Sequence, residues 1–131
     1  MSINTRQQLE QGRANAAYKR VRDFVDSNPG KSTLDEYKSY SKKFPMMVKT
    51  NGLGAALAFI KSKQKGAYKR LYEDLSEWLK EDHKKIIDLM YSDLLDKVVS
   101  IDDSAKYRAV SNEVLAFMNW HRRFTEGMIS K

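Results

Sequence analysis

The side chains able to do acid–base or metal chemistry are few and scattered. The two histidines are His83, near an expected helix start, and His121, in Trp120-His121-Arg122-Arg123. A histidine beside two arginines could act as a general base in RNA cleavage. Such cleavage usually wants a second acid–base group, and no second histidine lies nearby in sequence. His121 is therefore expected at the surface. Asp102-Asp103 and Glu81-Asp82 are adjacent carboxylates. Neighbouring side chains on a helix point apart, so these pairs do not make the interlocked carboxylates of a two-metal site. Gly52-x-Gly54 falls short of any phosphate-binding glycine motif. With no cysteine, the chain has no disulfide, thiolate ligand or thiol nucleophile. The expectation is a non-catalytic protein with no metal site and no cofactor.

Positive charge is the stronger chemical signal. The formal charge is +7, and it is unevenly spread: residues 1–70 carry a net +10 and residues 71–131 a net −3. Lys42, Lys43, Lys49, Lys61, Lys63, Lys65, Lys69 and Arg70 crowd the middle of the chain, and Arg6, Arg13 and Arg20 recur every seven residues. A basic side attracts phosphate backbones or other acidic partners. The same charge also serves a soluble protein that stays apart by self-repulsion. On local charge, the candidate RNA-contacting residues are the eight of the central cluster, with Arg13 and Arg20 second. Tyrosines 18, 37, 40, 68 and 72 are interleaved with them. They could stack on bases, but their spacing favours core packing.

These residues must be carried by helices. Ala14, Ala17, Tyr18, Val21, Phe24 and Val25 recur at three and four and predict one helix over about residues 4–26. Ser27-Asn28-Pro29-Gly30 stops it. Thr33-x-x-Glu36 offers a capping box for a second helix that buries Tyr37, Tyr40, Phe44 and Val48. Pro45 should kink or divide that helix. Thr50-Asn51-Gly52 is a turn, and Leu53 to Ile60 reads as a helix apolar on all sides and so buried. An amphipathic helix follows over about 67–81, and another is expected over about 83–99. Asp or Ser in the Ile101–Ser104 link can cap the last, about 105–128. Its apolar residues span a wide arc, which leaves a choice between deep burial and a free side.

No strand-like alternation or repeat appears. The fold class is all-α, a compact bundle of five or six helices, with residues 1–131 forming a single helical domain. The longest apolar run, Ala55 to Ile60, is six residues, against roughly 20 for a membrane span. The opening MSINTRQQLEQGR lacks a signal-peptide core. A cytoplasmic protein without membrane contact is expected. A helix-turn-helix reading of residues 33–62 is weakened because Leu53 to Ile60 offers no Arg, Asn or Gln to base edges.

Three blocks carry a family likeness. The first is Lys43-Phe44-Pro45, Thr50-Asn51-Gly52-Leu53-Gly54 and Ala56 through Lys63. The second is Tyr72 through Leu79, and the third runs from Tyr107-Arg108 through Glu113 and Leu115 to Trp120 and Arg123-Phe124. In this order they resemble the small subunit of the type III-B CRISPR effector, the Cmr complex. The resemblance implies a helical, non-catalytic subunit. Several copies would stack beside the backbone subunits that hold the guide RNA, contact the large polymerase-like subunit, and bind or shield target RNA. Two other readings stay open: a purely structural spacer in that complex, and a free-standing helical DNA-binding regulator.

Overall fold

Six helices, and no strand among the described residues, make up the chain: α1 (Thr5–Asp26), α2 (Lys31–Asn51), α3 (Leu53–Lys63), α4 (Gly66–Glu81), α5 (Leu94–Val99) and α6 (Ser104–Met128). This computed structural model describes residues 5–63, 66–81, 86–89 and 92–130. Lys65 and His83 lie outside the described residues. No helix among them is long and apolar enough to cross a membrane.

α1 lies along α6, and α2 packs on α6, α4 and α3. Phe44, Leu53, Leu57, Ile60, Leu71, Leu75, Val114 and Phe117 have no exposed surface and form the centre of the core. Each such side chain contributes about 1.5–3 kcal/mol by leaving water. A smaller cluster of Val21, Tyr37, Ala67 and Ile129 closes the other end.

Several local expectations are corrected by these long-range contacts. α2 is not divided at Pro45. Tyr40 and Phe44 before the proline and Val48 after it enter the same core, which holds both halves in one continuous helix. The Thr33–Glu36 capping box does not form, because α2 begins three residues earlier, with Gly30 at the capping position. Of the helix expected over 83–99, the described residues 86–89 are not helical and α5 forms only from Leu94. Asp93 fixes that late start. Its carboxylate accepts from Tyr72 Oη at 2.7 Å and Lys61 Nζ at 2.5 Å, while Leu95 N donates to Tyr72 Oη at 2.8 Å. α3 is not buried all round: Leu53, Ala56, Leu57 and Ile60 face inward, but Ala55, Ala58 and Phe59 are exposed.

The α2–α3 turn positions much of the basic surface. Gly52 has φ 93° and ψ 155°, a backbone region almost confined to glycine. Its N–H donates to Val48 O at 2.9 Å, and the next N–H group but one, from Gly54, donates to Tyr107 Oη at 2.9 Å. Tyr107 thereby ties the start of α3 to α6. Asp103 caps α6 through Ala105 N, as the link sequence suggests.

Candidate nucleic-acid interface

The ten predicted contact residues fall into distinct settings. The first is internal. Arg13 grips Glu113 at two points, Nε to Oε2 and Nη2 to Oε1, both 2.8 Å, and its Nη1 reaches Glu10 at 2.6 Å. Trp78 Nε1 adds a hydrogen bond to Glu113, which is almost fully buried. The Glu113 bond and then the other carboxylate contacts raise the Arg13 pKa despite the opposing effect of burial. Arg20 Nε binds Asp74 Oδ1 at 2.8 Å. Arg70 Nε stands 3.0 Å from that oxygen, but outside hydrogen-bonding geometry, so this contact is coulombic. Arg70 Nη2 donates to Arg20 O at 2.7 Å. These three guanidinium groups neutralise the buried carboxylates Glu113 and Asp74.

The second oxygen of Asp74 enters a closed polar network. His121 Nε2 lies 2.8 Å from Asp74 Oδ2 and 2.9 Å from Tyr37 Oη, while His121 Nδ1 lies 2.6 Å from Ser41 Oγ. Tyr37 also donates to Asp74. Burial alone would raise the Asp74 pKa; contacts from His121, Arg70 and Tyr37 outweigh it and leave it lowered. Burial first, and then Asp74, push the Tyr37 phenol well up. The surface placement expected for His121 is thus wrong. Ser41, His121 and Asp74 make a Ser–His–Asp line, yet each is 0% exposed, and no substrate reaches it. It joins α2, α4 and α6 as a structural knot. Among the described residues no group of His, Asp and Glu is arranged to hold a metal ion.

Asp74 and Glu113 were missed by charge-based reasoning. A signal was present: Asp74 shares the inward face of Leu71, Leu75 and Trp78, and Glu113 that of Val110, Val114 and Phe117. A carboxylate on an apolar stripe requires a buried cation.

The remaining described lysines of the set are outward. Lys43, Lys63 and Lys69 are exposed, with no carboxylate partner among the described residues. Lys43 and Lys63 border an aromatic patch. Tyr40 stacks on Phe59 with ring centroids 5.8 Å apart and meets Tyr68 edge-on at 4.4 Å. Phe59 is 37% exposed, and Lys63 Nζ sits 4.7 Å from its ring centre. Lys43 shares a shallow cleft with Tyr40 and Tyr68. Lys69 lines a separate cleft with Tyr72, Glu73 and Lys61, and Lys61 is bound to Asp93. Burial, with Tyr68, pushes the Tyr40 phenol up to about 12, so this patch keeps its hydroxyl neutral at ordinary pH. Lys42 and Lys49 lie on another face of α2, beside a groove shared with α6.

Comparison with known proteins shows the family. Residues 9–128 match the family model described as CRISPR-associated protein (Cas_Cmr5). A Thermus thermophilus protein named CRISPR system Cmr subunit Cmr5 is 31% identical over 120 residues, spanning 90% of this chain and 93% of its own. The crystal structure of a CRISPR-associated Cmr5 family protein, also from Thermus thermophilus, superposes with a TM-score of 0.73 at 29% identity, covering 98% of this chain and all of the other.

Proposed function

The chain belongs to the Cmr5 family of CRISPR-associated proteins, and from that premise we propose that it is the small, non-catalytic subunit of a cytoplasmic type III-B Cmr effector, touching RNA through Lys43, Lys63 and Lys69. Several copies stack beside the backbone subunits that carry the guide RNA and meet the large polymerase-like subunit. The exposed lysines face the phosphates of target RNA or of the guide–target duplex.

The observation that carries this reading is three exposed lysines without a carboxylate partner among the described residues, each beside aromatic surface: Lys43 by Tyr40 and Tyr68, Lys63 over Phe59, and Lys69 by Tyr72. Lysine reaches phosphate as a compact point charge. Phe59 and Tyr68 present partly open ring surface on which a base can rest. Leu53 to Ile60 in α3 offers no Arg, Asn or Gln to base edges, which supports contact independent of sequence. Pairing with the guide supplies the sequence specificity, as in other RNA-guided systems.

The test is target-RNA affinity of assembled effector containing either the wild-type chain or K43E/K63E/K69E. Assembly is verified by subunit stoichiometry. Affinity of the variant effector falls about tenfold or more, since each lost phosphate contact also forfeits counterion release. Unchanged affinity with intact assembly would refute direct contact and favour the spacer reading.

A further inference from the structure

The groove between α2 and α6 has a different character from the aromatic patch. It holds about 550 Å³ and is bordered by Lys42, Met46, Lys49, Leu115, Asn119 and Arg122. Among the described residues, every charged group lining it is positive and none is a carboxylate. Arg122 makes only a loose contact of 3.6 Å with Glu126 outside the groove. Met46 is 65% exposed. No aromatic ring lines the groove, so it lacks the platform on which a base stacks. Flexible methionine with flanking cations suits an aliphatic side chain set among carboxylates.

The same chain carries that complement. Val99, at the end of α5, is also 65% exposed, and it and Met46 are the two most exposed large apolar residues described. Asp96 lies one turn before Val99 on the same face, and Asp102 and Asp103 follow in the link to α6; all three are exposed. Asp103 spends one oxygen on capping α6. Lys97 is half-buried, and the exposed Lys106 and Arg108, the latter lining one cleft with Asp102 and Asp103, confine the acidic surface to the link itself.

We propose that the α2–α6 groove of one copy receives the α5–α6 link of a second copy, with Val99 against Met46 and the link carboxylates against Lys42, Lys49 and Arg122. The inference rests on the stacking of copies proposed above and names the surfaces that make it. Link and groove lie on one molecule about 20 Å apart along α6. The link is held by α5 and α6 and cannot fill its own groove. The contact is therefore head-to-tail and, unlike a twofold one, propagates. A single such contact is small beside the roughly 1,200–2,000 Å² of a stable interface. The isolated chain consequently associates weakly, and adjacent backbone subunits reinforce the contact by raising effective concentration.

The absence of native cysteine makes the test clean. Chains bearing M46C or V99C are mixed under mild oxidation without RNA, then within assembled effector. The mixture gives a disulfide-linked heterodimer well in excess of either homodimer, and the M46C/V99C chain gives a ladder. Adding K42E/K49E abolishes most of the product, whereas K43E/K63E/K69E leaves it unchanged. Native mass spectrometry of the effector separates the two claims. Several copies without a 46–99 cross-link would overturn this interface alone; a single copy would overturn the stacking reading and the interface with it.

Discussion

Asp74 and His121 meet at 2.8 Å in the centre of the bundle, both without exposed surface. Around this pair the chain gathers Arg20 from α1, Tyr37 and Ser41 from α2 and Arg70 from α4. Charge that the sequence suggests for an outer partner is here spent on an inner one.

Removing the Asp74 charge strands two cations. Asp74→Asn is expected to destabilise the protein by about 3–5 kcal/mol, the usual cost of breaking a buried ion pair from one side. Denaturant unfolding at neutral pH measures it. The pH dependence has a definite sign. The folded-state pKa of Asp74 is lowered from 3.8, so its stabilisation is complete above the unfolded value and is lost as pH falls through the folded one. Wild-type stability therefore drops in the acid range below 3.8, and the Asp74→Asn protein shows a smaller drop there. Equal drops would remove Asp74 as the acid-sensitive group.

Arg13 and the outer lysines should separate stability from RNA affinity. Arg13→Met leaves Glu113 buried without its cation and costs about 3–5 kcal/mol, while the RNA affinity of effector that still assembles stays unchanged. K43E/K63E/K69E gives the reverse pattern, with each exposed change within about 0.5 kcal/mol and affinity reduced. A loss of affinity in Arg13→Met with assembly intact would return Arg13 to the RNA-contact set.

Gly52 and Tyr107 guard the α2–α3 turn. A Cβ at position 52 would adopt φ 93° and approach Tyr107 Oη at 3.4 Å. Gly52→Ala is expected to cost about 1–3 kcal/mol from backbone strain. Tyr107→Phe, which removes the acceptor for Gly54 N–H, costs about 1 kcal/mol. Thermal melts of both variants test this, and an unchanged midpoint for Gly52→Ala would contradict the strained turn.

Regular apolar spacing made much of the architecture legible. The helices expected over 4–26 and 105–128 appear as Thr5–Asp26 and Ser104–Met128, and both turns fall where Pro29-Gly30 and Asn51-Gly52 place them. What escaped depends on distant partners. Arg13 and Arg20 resemble a solvated stripe locally, but Glu113 and Asp74 lie 100 and 54 residues away. His121 sits beside Arg122 and Arg123, which suggests solvent, although it shares the inward face of Val114, Phe117, Met118 and Thr125. The segment before α5 carries enough apolar residues to read as helix, yet Tyr72 and Lys61 set the helix start at Asp93.

Phosphate contact by Lys43, Lys63 and Lys69 is tested most directly by the salt dependence of single-stranded RNA binding. Affinity is measured for assembled effector across a salt series, with the wild-type chain and with all three lysines changed to Gln. Each phosphate contact on a single strand contributes about 0.7 to the slope of log affinity against log salt. The expected result is a variant line shallower by about 2 for each copy whose three lysines engage phosphate. Parallel lines, with the complex intact, would contradict RNA contact through these residues.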